Sequence, residues 1–249
     1  MSRPVFFLAD AATVDSICTL GGVEGHHAAA VRRVRVGEHI VLTDGRGTAL
    51  DAEVREVARD EVICAVRDVR REPPQELSLT VVQALPKGDR GELAVELLTE
   101  VGVDVVVPWQ AERCVSRWRG DKVERGRTKW ASTAREAAKQ SRRTWWPQVA
   151  DVADTEAVAA LLADADVAWV LHEWASATLA DSVDSGALPD AGSVVLVVGP
   201  EGGLSDEELT RFAAAGADGV RLGPTVLRTS TAGVVAAALV LGRTASWRA

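Results

Sequence analysis

Cysteine and histidine are scarce in this chain of 249 residues, and each scarcity narrows the chemistry open to it. Cys18, Cys64 and Cys114 are odd in number and far apart, which fits neither a disulfide framework nor a zinc site and leaves ordinary thiols. The four histidines stand at 26, 27, 39 and 172. His26 and His27 are adjacent, but no acidic or cysteine partner lies at ligand spacing, so no metal is expected. There is no G-x-S-x-G, no H-E-x-x-H, no P-loop and no G-x-G-x-x-G, which removes the usual hydrolase, zinc-protease and nucleotide-binding signatures. Long apolar runs are missing as well. The longest near the C-terminus, residues 232–241, is too short to span a bilayer, and the N-terminus lacks the basic-then-apolar layout of a signal peptide. A cytoplasmic protein with no membrane partner is expected.

What is present is an ample apolar content, 47%, enough to fill the core of one large or two modest domains. The net charge of -8 argues superficially against nucleic acid. The charge is unevenly placed, however: residues 113–143 hold eleven Lys or Arg against Asp121, Glu124 and Glu136, so these 31 residues carry +8 and the remainder -16. A basic run can be no more than a solvated helix face. This one contains Trp118 and Trp130 and ends in Arg142, Arg143, Thr144, Trp145 and Trp146, and cations interleaved with aromatics suit phosphate contact and base stacking. Tryptophan is equally a core residue, so no single ring is assigned to RNA.

Residues 1–72 read as a small β-rich domain, with strands over 5–8, 39–43, 49–57 and 62–69, a turn at 44–47 and a short helix within 26–35. Residues 73–76, opened by Pro73 and Pro74, form a linker, since tandem proline continues neither helix nor central strand. Residues 77–249 then alternate. Strands are predicted over 77–85, 104–108, 167–171, 194–198 and 219–222, and helices over 92–101, 125–143 and 157–163, with a further one from 205 and a nearly all-apolar, buried one over 231–241. Such alternation implies an α/β fold with a parallel sheet.

Three of these strands end in candidate loops: Leu171-His172-Glu173, the turn Gly199-Pro200-Glu201-Gly202-Gly203, and residues 223–229. Ligands of open α/β sheets bind beyond such carboxyl ends. Five consecutive apolar residues, Val194 to Val198, feed the glycine turn. After it, Ser205 and Glu208 have capping-box spacing, which places Asp206, Glu207 and Glu208 in the first turn of a helix. Three carboxylates there would repel a phosphate, so the expected ligand is neutral or cationic at that point. The last loop sets Arg228 among hydroxyl residues between a buried strand and a buried helix. A cation so held requires a ligand or an acid such as Glu201.

Taken together, Gly199-Pro-Glu-Gly-Gly-Leu-Ser205, Leu222-Gly-Pro with Leu227-Arg-Thr229, Lys87-Gly-Asp-Arg90, Glu100-Val-Gly-Val103 with Pro108 and Glu112-Arg113, and Glu136-Ala-Ala-Lys-Gln-Ser141 resemble the 16S ribosomal RNA uridine-N3 methyltransferases of the SPOUT superfamily. The resemblance runs from the first strand and a His27 to Arg33 motif to the final helix. It implies an N-terminal PUA-like β-barrel domain that binds RNA, and a C-terminal SPOUT α/β domain with a deep trefoil knot. It also implies S-adenosyl-L-methionine as cofactor, a homodimer, and a substrate that is 16S ribosomal RNA or the assembled small subunit, methylated near the decoding centre.

On that resemblance the cofactor residues are Leu171, His172, Glu173, Val198, Gly199, Pro200, Glu201, Gly202, Gly203, Leu222, Gly223, Leu227, Arg228 and Thr229. Arg228 is the catalytic candidate, because a guanidinium stays protonated and can stabilise the uridine anion. Arg32, Arg33, Lys87, Arg113, Arg142 and Arg143 are the candidate phosphate contacts. Cys114 is set aside as a nucleophile because methylation at N3 needs no attack on a ring carbon. The proton acceptor is solvent or a carboxylate such as Glu201. The family commonly has Glu where this chain has Ser230. Two rivals follow: methylation of another ribosomal or transfer RNA base, or an RNA-binding assembly protein without catalysis.

Overall fold

Alternation of apolar and polar residues builds the N-terminal sheet from β1 (Val5–Phe7), β2 (Ile17–Leu20), β3 (His39–Thr43), β4 (Thr48–Val57) and β5 (Val62–Arg71). Between β2 and β3 lies α1 (Gly22–His26), which runs on into a π-helical turn, His27–Val31. This computed structural model describes residues 3–248. The strand order is β1-β3-β4-β5-β2, with β1 and β3 parallel and the other neighbours antiparallel, a mixed sheet of half-barrel form. Phe6, Leu20, Ile40, Leu42, Leu50, Val54 and Val62 fill its core. β2 is absent from the sequence-based expectation. It is four residues long and half exposed, too short for a legible alternation. It sets Cys18 opposite Cys64, both buried.

Residues 138–146 cluster with this first unit, whose other part ends at residue 74, whereas the sequence reading placed them in the second domain. Specific bonds explain the difference. The buried ammonium of Lys139 meets the Glu24 carboxylate at 3.0 Å, and the other oxygen of Glu24 accepts the Phe7 N–H at 3.1 Å. Gly47 N donates to Thr144 O at 3.0 Å, Trp146 N to Gly45 O at 3.0 Å, and the Trp145 indole to Glu72 O at 2.9 Å. Gly45 has φ of 67°, and a Cβ there would lie 2.6 Å from the Trp146 ring, so both the turn and the close approach require glycine.

The second unit comprises residues 75–137 and those from 147 on. Its strands are β6 (Leu77–Ala84), β7 (Val105–Trp109), β8 (Gln148–Val149), β9 (Val167–Leu171), β10 (Ala177–Thr178), β11 (Gly192–Val198) and β12 (Asp218–Arg221). Its helices are α2 (Arg90–Val101), α3 (Asp121–Gln140, of which the last three residues cluster with the first unit), α4 (Thr155–Ala163), α5 (Leu179–Ser182), α6 (Asp206–Ala214), α7 (Thr229–Leu241) and α8 (Ala245–Arg248). The sheet order is β10-β12-β9-β11-β6-β7-β8, every neighbour parallel. β11 lies at its centre, with Val194 to Val198 all buried, as a run of apolar residues covered on both faces demands. Strand order reverses there, because β11 is inserted between β6 and the earlier β9. That makes a topological switch point at its carboxyl end.

α7 packs against α2 and β11 through its small residues. A Cβ on Gly233 would stand 3.2 Å from Leu98. Burial on nearly all sides was expected of this helix. One face is instead open in the single chain, where Val235 is 38% exposed. No helix among the described residues is long and apolar enough to cross a membrane.

Candidate functional site

The carboxyl ends of β9, β11 and β12 bring the three predicted loops to one place. Two compartments open there, of about 330 and 320 Å³, and share Leu171, His172, Glu173, Val226, Leu227 and Ala232 in their walls. The first also takes Trp174, Arg221, Leu222, Gly223, Pro224 and Thr225. The second takes Arg90, Val198, Gly199, Pro200, Glu201, Gly203, Leu204, Arg228 and Thr229. Thirteen of the fourteen expected cofactor residues line one compartment or the other.

Gly202 does not. A Cβ on it would point at Arg113, 3.1 Å from both the Arg113 Cβ and its carbonyl oxygen. Its glycine serves packing of the turn rather than access to the cavity. Arg113 is drawn in on the same side, its Nη1 donating to Leu204 O at 3.0 Å and reaching Gly202 O at 3.5 Å. Its guanidinium thus braces the glycine turn through Nη1 while the residue stays exposed.

The helix after that turn starts as its capping box dictates. Ser205 Oγ accepts from Glu208 N at 3.2 Å, and Glu208 Oε2 accepts from Ser205 N at 2.9 Å. Glu208 is only 2% exposed, and its Oε1 also accepts the Glu112 N–H at 2.8 Å. The three acids of this first turn thus do not act together on a ligand. Glu208 is consumed inside the protein, Glu207 faces Arg211 at 3.5 Å, and none of the three lines the cavity.

Arg228 stands at the N-terminal boundary of α7, exposed and bordering the second compartment. Its guanidinium is in no ion pair or hydrogen bond among the described residues. Glu201, the acid considered as its partner, accepts the Lys87 backbone N–H at 3.1 Å instead. Thr229 Oγ1 donates to Gly199 O and so ties the third loop to the second. Ser230 is buried in the first turn of α7 and lines neither compartment. Cys114 is buried, and loss of solvent pushes its thiol pKa up, which holds it as a thiol.

Four of the expected RNA residues lie in the first unit. Arg32 and Arg33 follow the π-helical turn, Arg33 with φ of 56°, while Arg142 and Arg143 join Arg3, Arg70 and Asp51 around a cavity of about 450 Å³. Trp130, Trp145 and Trp146 of the basic run pack against other residues, while Trp118 is half-buried and borders a further cavity. Trp130 is buried and meets Trp118 edge to face at 5.2 Å. Trp145 and Trp146 cover Gly47 and Gly45. A more exposed ring is Trp174, 84% exposed in the wall of the first compartment. Sequence reasoning missed it and Arg90, since a lone tryptophan in a loop and an arginine opening a helix carry no periodic signal. His26 pairs with Asp60 at 2.7 Å, and His27 stacks edge-on to Phe6, which accounts for both members of the adjacent pair.

A family model described as an RNA methyltransferase domain matches residues 73–241, and one described as an RNA methyltransferase PUA domain matches residues 20–67. The chain belongs to the RNA methyltransferase family. Among curated relatives, this methyltransferase is 43% identical to ribosomal RNA small subunit methyltransferase E of Mycobacterium tuberculosis, over 100% of this chain and 95% of that one. It is 34% identical to the protein of the same name from Bacillus subtilis, over 86% and 85%. Its fold matches a crystal structure of ribosomal RNA small subunit methyltransferase E from Neisseria gonorrhoeae bound to S-adenosyl methionine, with a TM-score of 0.84, 25% identity and 98% of each chain covered. A Legionella pneumophila structure in complex with the bound cofactor SAM matches with a TM-score of 0.85 at 25% identity, over 98% of this chain and 99% of that one.

Proposed function

We propose that this methyltransferase transfers a methyl group from S-adenosyl-L-methionine to N3 of a uridine in 16S ribosomal RNA of the small subunit, near the decoding centre. The carrying observation is an unpaired Arg228 at the rim of a cavity whose glycine turn has no phosphate-binding lysine. The residues present fit the cofactor. Leu171, Leu222, Pro224, Val226 and Leu227 give the first compartment apolar walls for a ring, and the second is edged by Arg90, Arg228, Glu173 and Glu201 for charged groups. When bound there, the cofactor supplies an electrophilic methyl carbon on a sulfonium.

The protein's own part is to hold the uridine and its charge. N3 is hidden in a Watson–Crick pair, so the target is unpaired or flipped out. Loss of the imide proton spreads negative charge over O2 and O4. Arg228 presents a planar donor fork to that charge without itself titrating. Glu201, anchored by the Lys87 N–H, or solvent takes the proton.

Several finer points belong to the same reading. The match to a PUA domain and the arginines around the 450 Å³ cavity support RNA binding by the first unit, residues 1–74 with 138–146, joined to a methyltransferase unit. Insertion of β11 between β6 and β9 supports threading of the three loops as a deep trefoil knot. The open α7 face at Val235 supports a homodimer. Ribosomal RNA as substrate supports a cytoplasmic location.

Transfer of labelled methyl from S-adenosyl-L-methionine, compared among free 16S RNA, assembled small subunits and transfer RNA, with the modified nucleotide mapped by mass spectrometry, tests the reading. The label is expected on N3 of one uridine of small-subunit RNA. Arg228→Ala should lower turnover by roughly 10²–10³-fold with the fold intact, as loss of a transition-state donor does. Near-normal turnover by that variant removes Arg228 from the mechanism, and label on transfer RNA alone overturns the substrate.

A further inference from the structure

A second cavity, of about 340 Å³, lies elsewhere in the same unit, lined in part by Gly88, Glu92, Trp118, Lys122, Arg125 and Lys129. Residues bordering it and the proposed catalytic site are separated by one short turn of chain. Gly88 borders this cavity and Arg90 the polar compartment, and two residues of chain span at most about 7 Å. That distance is on the scale of one nucleotide step.

The cavity joins the two kinds of group that hold single-stranded nucleic acid. Lys122, Arg125 and Lys129 share a face of α3, three and then four residues apart. Glu92 neutralises only Lys129, at 2.6 Å. Lys122 and Arg125 are exposed and in no ion pair among the described residues, although Arg125 Nε reaches Asp121 O at 3.3 Å. Beside them, Trp118 is half-buried and rigidly held. Gly126 backs its ring so closely that a Cβ would lie 2.5 Å away, Trp130 abuts it edge-on, and the backbone N–H of Trp118 donates to Gln110 Oε1 at 2.9 Å. A fixed aromatic surface next to two uncommitted cations matches a base attached to a phosphate. A simple anion would leave the ring unused.

We infer that this cavity receives the nucleotide flanking the target uridine, its base against Trp118 and its phosphate on Lys122 and Arg125. The inference rests on the proposed methylation of RNA, and its test separates the two. Binding of a short single-stranded RNA carrying the target uridine is measured on the full chain by fluorescence anisotropy across a salt series, with S-adenosyl-L-methionine affinity measured by calorimetry.

The Lys122→Ala/Arg125→Ala variant should bind RNA roughly tenfold more weakly, with a salt slope shallower by about 1.4, as loss of two phosphate contacts on a single strand dictates. Its cofactor affinity should be unchanged. An abasic residue on one side of the uridine should cost the unaltered protein roughly tenfold through lost stacking. Unchanged RNA affinity and slope in the double variant, or no effect of an abasic residue on either side, overturns the assignment. If the unaltered protein methylates no RNA yet its oligonucleotide binding shows both losses, the proposed reaction fails while this site stands.

Discussion

Replacement of Glu208 by alanine is the sharpest test of how the cavity is held. The carboxylate is almost wholly buried and receives two backbone N–H groups, Ser205 N at 2.9 Å and Glu112 N at 2.8 Å, with Thr155 Oγ1 at 3.4 Å beyond good geometry. Hydrogen bonds to a charged acceptor contribute about 1.5–3 kcal/mol each, and a buried donor left unmet costs about 1–3 kcal/mol. These are two views of the same loss, so they are not added. Two donors at about 1.5 kcal/mol each give about 3 kcal/mol for Glu208→Ala. The corresponding fall in Tm is roughly 6–12 °C for a domain of this size.

Ser205→Ala removes only the reciprocal cap and should cost about 1 kcal/mol. Glu208→Gln keeps one acceptor oxygen and should fall between the two. Urea unfolding of the three variants against the unaltered chain reads the series directly. Glu208→Ala should also weaken S-adenosyl-L-methionine binding, because the turn of residues 199–203 leads into this cap. A loss below about 1 kcal/mol, equal to that of Ser205→Ala, would refute the reasoning, since Glu208 would then act as a surface cap and not as a tie to residue 112.

Two further substitutions test packing away from the cavity walls. Lys139→Ala leaves the Glu24 carboxylate without this cation and should cost about 3 kcal/mol, visible as earlier unfolding of that unit; exchanging both partners for apolar residues should recover only part of it, because Glu24 also accepts the Phe7 N–H. Gly202→Val should destabilise by about 1–3 kcal/mol through collision with Arg113. Cofactor affinity should fall only in step with that loss. Weakened binding at unchanged stability would return Gly202 to the cavity wall.

Local pattern made much of this legible. A run of apolar residues marked β11 because a central parallel strand is covered on both faces, and the Ser205 to Glu208 spacing marked the start of α6 because a capping box needs only four adjacent residues. The loops were legible as strand ends. β2, β8 and β10 were not: they are four residues or fewer and lack the apolar run that marked the equally short β1. The tryptophans of the basic run misled in part. Composition shows a ring beside a cation but not which way the ring faces, and Trp118, Trp130, Trp145 and Trp146 face glycines or one another.

The sequence by itself determined the alternation of strands and helices, the glycine turn and its cap, and the family motifs that lie within a few residues of each other. Tertiary structure alone decided that Gly202 turns away from the cavity, that Glu201 accepts the Lys87 N–H and leaves Arg228 without an ion pair among the described residues, and that Arg113 braces a turn. It also decided that residues 138–146 complete the N-terminal unit. Periodicity and capping act over one or two turns of chain and so are written locally. The partner of a charge or a ring is chosen by packing between segments about a hundred residues apart, as Lys139 is from Glu24 and Glu112 from Glu208, and no local pattern records that choice.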